Sequence, residues 1–197
     1  YMKSRFLASF QLAIISFFMF ADQNLMGPNL KLIGDEFGFL SEQARYHYLG
    51  SLINLAFWII GGSVSLFIGY FTDIISRKKL FFLIVMIGEI PCLLSGFAVD
   101  YAQFFILRSL TGIGIGGIIP LTYSYLGDLF SAKERIKIVT LIGFASGLGV
   151  AVGQLISGML GETYGWRLPF VIFAVPNFIL VLIFYLTFQT LNQQLLK

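Results

Sequence analysis

Three charged side chains interrupt apolar stretches of this 197-residue chain at positions where lipid hydrocarbon would surround them. They are Asp22, Glu89 and Arg108. A charge at the bilayer centre costs at least about 2.5 kcal/mol on insertion scales, and such residues mark proton relays and substrate pathways. Each of the three is therefore a candidate for function.

Asp22 and Arg108 are predicted to lie at the same membrane depth. Asp22 is about 25 Å of helix rise beyond Arg5, and Arg108 is about 30 Å of rise before Asp128. The two side chains can meet if their helices adjoin, and pairing would lower the cost of burying both charges. A proton- or substrate-coupled switch and a fixed structural ion pair are both consistent with this placement.

Glu89 is predicted to lie near the bilayer midplane, about 15 Å of helix rise from Lys79. An unpaired glutamate there would be largely protonated and could carry a proton, while the alternative is a neutral acid bonded to a neighbouring helix. One histidine and one cysteine cannot form a zinc site of the usual type, so we expect no metal and no cofactor. We predict a substrate- or proton-coupling set of Asp22, Gln23, Asn24, Glu89 and Arg108.

Six apolar runs must position these residues, each long enough to cross a hydrocarbon core as a helix. Charged residues make up 12% of the chain and hydrophobic residues 57%, with a mean hydropathy of +0.86, whereas soluble domains are about one quarter charged. We predict an all-α membrane protein whose single six-helix bundle spans residues 1–197, with helices at about 6–30, 46–71, 80–99, 102–129, 139–160 and 168–188.

The charged link, residues 69–79, joins the second and third runs and must lie at a membrane surface. Six spans put both termini on the side of this link, which carries Lys3, Arg5, Arg77, Lys78, Lys79, Lys133, Arg135, Lys137 and Lys197. The other side carries Lys31, Arg45 and Arg167. The positive-inside rule therefore predicts cytoplasmic termini in an inner or plasma membrane. The basic net charge is explained by the membrane surface, so no nucleic-acid partner is expected.

A weak internal repeat relates the charged link to the link before the sixth run. Gly69, Asp73, Ser76, Lys78 and Phe81 align without gaps with Gly158, Glu162, Gly165, Arg167 and Phe170. Three spans separate the copies, which therefore face opposite membrane surfaces. This arrangement is typical of the inverted three-plus-three repeats within secondary transporters, although five matches can also arise by chance.

Four motifs resemble those of the major facilitator superfamily. Gly69-x-Phe71-x-Asp73-x-x-x-Arg77-Lys78 resembles the family's signature between its second and third helices. The other motifs resemble the family's fourth helix, the end of that helix and the start of its sixth helix: Arg108-x-x-x-Gly112-x-Gly114-x-Gly116, Asp128-Leu129-Phe130-x-x-x-x-Arg135 and Gly165-Trp166-Arg167-x-Pro169-Phe170.

The resemblance implies the N-terminal half of a twelve-helix secondary transporter, working by alternating access, and not an enzyme. Its partners would be the lipid bilayer, a C-terminal six-helix half and a small-molecule or lipid substrate. It also implies a cytoplasmic gate formed by Gly69, Asp73, Arg77, Lys78, Asp128 and Arg135. A six-helix scaffold or receptor subunit that transports nothing is the alternative from another functional class.

Within this superfamily, residues 21–24 and 27–29 look most like spinster-type lipid transporters. Two positions depart from that subfamily, with Gln23 where an arginine is usual and Ile115 where an acid is usual. Residues 112–117 also satisfy the GxGxxG pattern of dinucleotide sites, but they lie inside an apolar span. Close helix packing is therefore the better interpretation of these glycines and of those in the fifth span.

Overall fold

The computed structural model describes the backbone of residues 2–195 and the side chains of residues 5–187. Within that part every regular element is helical, which confirms the all-α prediction. The elements are α1 (Met2–Gln23), a 3-10 turn (Gly27–Asn29), α2 (Leu30–Glu36), α3 (Glu42–Arg45), a π-helical segment (Tyr46–Leu52), α4 (Ile53–Ile74), α5 (Arg77–Ser95), α6 (Tyr101–Leu129), α7 (Ala132–Tyr164) and α8 (Leu168–Leu195). Lys197 and the side chain of Lys3 lie outside the described residues.

The first apolar run is divided in two, where the sequence indicated one helix to about residue 30. The α-helix ends at Gln23, and the chain then turns before Pro28 enters the 3-10 turn that leads into α2. Proline lacks a backbone donor and fixes its own φ angle, so it suits the start of a helix and not its interior. The break leaves the last carbonyl groups of α1 free to accept other donors.

Five segments of the described chain are long and apolar enough to cross a membrane: Arg5–Glu36, Glu42–Ile74, Tyr101–Leu129, Ala132–Tyr164 and Leu168–Thr187. The third predicted run, α5, is not among them because Lys78, Lys79 and Glu89 fall within its 19 residues. It nevertheless packs against both α6 and α8, so it belongs to the same bundle.

Glycines bring α4 and α6 into backbone contact. A Cβ atom added to Gly116 would lie 2.0 Å from the Gly61 carbonyl oxygen, and one added to Gly112 would lie 2.3 Å from the Phe57 carbonyl oxygen. Only glycine permits this approach, which confirms the packing interpretation of the glycines in residues 112–117.

The glycines of α7 divide between two faces of that helix. A Cβ atom on Gly149 would lie 2.1 Å from the Phe17 carbonyl oxygen, so this face packs tightly on α1. Gly143 and Gly147 have nothing within 4 Å of an added Cβ atom. The expected smooth face is therefore only partly used for packing within the described bundle.

Local sequence signals fix the ends of α7. Ser131 and Glu134 form a reciprocal capping box at its start, where each side chain bonds to the backbone of the other. Gly165 ends the helix with a φ of 92°, a left-handed conformation that favours glycine. The chain then enters α8 at once, which places Trp166 and Arg167 at the end of the bundle opposite Arg77. We call these two ends the Trp166 end and the Arg77 end.

Candidate functional site

Four helices bring ionisable and polar side chains together in the interior. Asp22 lies in the last turn of α1, Glu89 and Cys92 lie on α5, Arg108 lies on α6, and Asn177 lies on α8. Their exposed fractions are 4%, 1%, 1%, 2% and 0%, respectively. We call these five residues the buried polar cluster. Burial of a charge costs several kcal/mol unless partners compensate for it, so the contacts within the cluster decide its chemistry.

Arg108 binds the end of α1 through backbone atoms. One terminal nitrogen of its guanidinium donates to the carbonyl oxygens of Asp22 at 3.2 Å and Gln23 at 3.1 Å. These carbonyls lack helical donors because α1 stops there, and a cation at a helix C-terminus also meets the negative end of the helix dipole. Among the described side chains, no Arg108 nitrogen lies within 4.0 Å of a carboxylate oxygen. The structure therefore replaces the expected Asp22–Arg108 ion pair by backbone contacts.

The carboxyl groups of Asp22 and Glu89 face each other. One oxygen of each, together with the Cys92 sulfur, falls within a set of atoms that are all within 4.8 Å of one another. Both Asp22 oxygens and Glu89 Oε2 lack a hydrogen-bond partner among the described atoms. Two ionised carboxylates at 4.8 Å repel each other by about 3.5 kcal/mol at an effective dielectric constant of 20. A proton on one of the two acids removes this repulsion and supplies a donor for the other.

Asn177 and Cys92 belong to the cluster although the sequence analysis did not select them. Asn177 Nδ2 donates to Glu89 Oε1 at 2.7 Å, and an Arg108 nitrogen lies 3.7 Å from the Cys92 sulfur. The sequence could have indicated Asn177, because an amide side chain inside an apolar span is costly unless it forms a hydrogen bond. The three-residue spacing of Cys92 from Glu89 puts both on one helix face.

Two predicted members of the coupling set lie apart from the cluster. The Gln23 backbone accepts from Arg108, but no described contact draws the Gln23 side chain into the cluster. Asn24 donates to the Phe20 carbonyl oxygen at 2.9 Å and accepts from Gln154 of α7 at 3.4 Å. The structure therefore brings Asp22, Glu89 and Arg108 together and directs Asn24 toward α7.

The cluster is a better site for a proton than for a metal ion. Two carboxyls and a thiol are possible ligands, but the Arg108 guanidinium stands beside them. The positive charge of Arg108 opposes a divalent cation at the same place. Two carboxylates and one guanidinium carry one net negative charge, which a single proton neutralises. We therefore assign no metal ligands.

A groove of 140 Å³ lies between α1, α6 and α7. Its lining is mainly apolar with several hydroxyl groups and no charged side chain, and comprises Ser16, Phe20, Ile118, Ile119, Thr122, Tyr123, Ile142, Gly143 and Ser146. Thr122 is 2% exposed, and its hydroxyl has no partner among the described atoms. Sequence reasoning missed these residues because isolated hydroxyls are common in apolar helices.

At the Arg77 end, the charged link ties the start of α5 to the end of α6. Arg77 forms an ion pair with Asp128 and lies 3.5 Å from the Ser124 carbonyl oxygen. The Lys78 ammonium lies 4.3 Å from the centre of the Tyr185 ring, a cation–π contact with α8. Gly69 and Asp73, also in the predicted gate set, are exposed on α4.

A second set of contacts at the same end joins α1 to the start of α7. Arg135, a predicted gate residue, donates to the Phe130 carbonyl oxygen at 3.4 Å. Arg5 donates to the Leu129 carbonyl oxygen and forms an ion pair with Glu134 at 3.3 Å. Sequence reasoning did not select Glu134, although its spacing from Ser131 is a recognisable capping signal.

At the Trp166 end, one acid holds two helices together. Glu36 of α2 forms an ion pair with Arg167 at 2.6 Å and accepts from the Trp166 indole at 2.7 Å. Arg167 also donates to the Ala98 carbonyl oxygen at 2.9 Å. These bonds tie α2 and the segment after α5 to the start of α8, while Glu162, the proposed counterpart of Asp73, is exposed.

Curated relatives of this chain are named as transporters. Vacuolar basic amino acid transporter 1 of Saccharomyces cerevisiae is 28% identical over 164 residues, which cover 82% of this chain and 27% of that protein. The multidrug transporter protein MdtP of Bacillus subtilis is 27% identical over 173 residues, covering 88% of this chain and 30% of MdtP. The chain thus spans less than a third of the length of these relatives.

Solved structures show the same fold. A bacterial homologue of the human lysosomal transporter Spinster, inward-facing and unoccupied, superposes with a TM-score of 0.79 at 22% identity. The proton:xylose symporter XylE superposes with a TM-score of 0.81 at 18% identity. Each match covers 93% of this chain, but only 43% and 45% of the respective structures, so this chain corresponds to slightly less than half of either.

Residues 12–194, nearly the whole chain, match the Major Facilitator Superfamily. The apolar helices and the structural neighbours agree with that match. This chain is an integral membrane protein that belongs to the major facilitator superfamily.

Proposed function

We propose that this chain is the N-terminal six-helix half of a secondary active transporter, which moves a small organic or lipid-like substrate by alternating access and is coupled to protons. The buried polar cluster carries the proposal. Asp22 and Glu89 are buried acids that form no ion pair with any described side chain, and such groups in membrane helices mark proton pathways. A merely structural ion pair would place Arg108 on a carboxylate, and Arg108 lies on backbone carbonyls instead.

The groove supports the proposed substrate class. Its walls offer aromatic and aliphatic surface with hydroxyl groups and no charge, so they suit an uncharged or amphipathic molecule better than an ion or a polyhydroxylated sugar. The second half of the transporter would supply the opposite wall. Residues 21–24 and 27–29 resemble spinster-type lipid transporters, so a lipid-like substrate is the narrower form of the proposal.

The charged link, with Asp128 and Arg135, is the proposed cytoplasmic gate. The Arg77–Asp128 ion pair fastens α5 to α6 at this end, and Asp73 stays exposed for contact with the second half. We place this end and both termini in the cytoplasm because most basic residues lie there. An inverted relation between residues 1–100 and 101–197 remains part of the proposal and would explain the matched links.

Reconstitution of the complete transporter, including its second half, tests the function. Proteoliposomes are loaded with radiolabelled chloramphenicol as a neutral organic probe or with a fluorescent lysophospholipid as a lipid-like probe. Counterflow exchange is then measured at equal pH on both sides. We expect saturable exchange of at least one probe.

A matched control variant distinguishes the role of the buried polar cluster from the general effect of removing a negative charge. Asp22→Asn should change proton-driven uptake, whereas Glu42→Gln, which neutralises an exposed acid in the first turn of α3, should leave it unchanged. Absence of saturable flux for both probes, together with no effect of Asp22→Asn on any flux, would favour a non-transporting scaffold or receptor subunit.

A further inference from the structure

We propose that Asp22 and Glu89 form one proton-binding site that holds a single shared proton, and that Asn177 is its positioning residue. The inference rests on the proposed function, because it specifies how the coupling site of that transporter binds its ion. It adds the number of protons that the site binds, which is one, and it adds Asn177, a residue outside the family motifs of this chain.

Three carboxyl oxygens of the site lack a hydrogen-bond donor among the described atoms. Asp22 presents two such oxygens and Glu89 presents one, while the other Glu89 oxygen accepts from Asn177. A proton between the facing carboxyls converts one acceptor into a donor and gives both residues a hydrogen bond at once. Two separate protons would supply more donors than the facing oxygens need.

The described groups that face the site determine its total charge. The packed elements contribute Asp22 from α1, Glu89 and Cys92 from α5, Arg108 from α6 and the uncharged Asn177 from α8. With a neutral thiol, two carboxylates and one guanidinium leave one net negative charge. One proton makes the cluster neutral, and neutrality is strongly favoured in apolar surroundings.

Asn177 orients the Glu89 carboxyl group. Asn177 Nδ2 holds Oε1 at 2.7 Å, which leaves Oε2 as the unbonded oxygen within the cluster. Asn177 is fully buried on α8, while Asp22 and Glu89 lie on α1 and α5. The site therefore joins the first three long helices to the last three. Proton loss would leave a net negative charge beside the Arg108 guanidinium, whose Nε has no hydrogen-bond partner among the described atoms.

Proton counting on the purified full-length transporter tests the shared site without requiring transport. A pH indicator in weakly buffered detergent solution measures the protons bound between pH 5 and 9, relative to Glu42→Gln. We expect Asp22→Asn and Glu89→Gln each to remove the same single proton, because the remaining carboxylate is neutralised by Arg108. Two independent sites would instead leave one titrating proton in each single variant, and this result would overturn the proposal.

The role of Asn177 is tested by the pH profile of probe exchange. Asn177→Leu removes a donor that stabilises ionised Glu89, so the midpoint should move toward higher pH by about one unit or more. Asn177→Gln, which retains an amide, should restore the profile partly. An unchanged midpoint in a folded Asn177→Leu or Asn177→Ala protein would refute the positioning role.

The two proposals fail separately. If the probes are not exchanged but the protein still binds one proton as described, the transport function or the chosen substrate class is rejected and the shared proton site is supported. Normal proton-driven exchange with two independent titrations would reject the shared site alone.

Discussion

Gly116→Ala tests the helix packing that positions Arg108. A Cβ atom at Gly116 would lie 2.0 Å from the Gly61 carbonyl oxygen, whereas ordinary contacts begin at 3.4 Å. The α4 and α6 backbones must therefore separate by about 1.4 Å, because neither atom belongs to a flexible side chain. Gly116 lies about two helical turns beyond Arg108, so the same displacement disturbs the contact of Arg108 with α1.

The expected destabilisation follows from two opposing effects. Overpacking costs about 1–3 kcal/mol, and replacing glycine by alanine inside a helix returns about 0.5–1 kcal/mol. The difference between these two ranges is about 0–2.5 kcal/mol, and the net loss should lie in its upper half because the added Cβ atom meets backbone atoms of α4. We expect the melting temperature to fall by several degrees, since about 2–4 °C per kcal/mol is usual for a unit of this size.

Thermal melting of the full-length protein, followed by fluorescence-detected size-exclusion chromatography, measures the effect. Gly62→Ala is the matched control, because it makes the same change in α4 with nothing within 4 Å of the added atom. Its melting temperature should be unchanged or slightly higher. A Gly116→Ala protein as stable as the wild type would refute the described packing of α4 on α6.

Substitutions at three further sites test other parts of the structure. Arg77→Asp and Asp128→Arg should each alter exchange rates by up to about fivefold, since exposed pairs contribute about 1 kcal/mol or less, and the double variant should recover the wild-type rate in a double-mutant cycle. Gly165→Ala should lower the melting temperature, because a non-glycine residue at a φ of 92° and a ψ of 153° costs about 1–3 kcal/mol. Thr122→Val should leave the melting temperature unchanged or raise it slightly, because the buried Thr122 hydroxyl has no hydrogen-bond partner among the described atoms.

Sequence reasoning selected the charged groups of the site because an ionisable side chain inside an apolar helical run is costly to expose to lipid. Counting residues from Arg5 and Lys79 put Asp22 and Glu89 at depths where hydrocarbon would surround them, and the structure buries both. The glycines of residues 112–117 were also interpreted correctly, since a glycine-rich apolar helix favours close packing.

The partners of these groups could not be predicted, because they depend on where helices end and which faces meet. The end of α1 at Gln23 lies inside a continuous apolar run, and this end gives Arg108 backbone carbonyls to bind in place of the Asp22 carboxylate. The contact between Glu89 and Asn177 depends on the packing of α5 against α8. No periodicity within either segment specifies that packing.

Proton movement driven by substrate is the most direct test of the central claim, that the buried acids couple transport to protons. Full-length protein is reconstituted in proteoliposomes that contain a pH-sensitive dye, and a gradient of chloramphenicol or lysophospholipid is imposed without a pH gradient. We predict a saturable proton flux in the wild type and none in Asp22→Asn or Glu89→Gln, with Glu42→Gln behaving as wild type. Substrate flux without proton flux in the wild type, or an undiminished proton flux in both acid variants, would contradict the account.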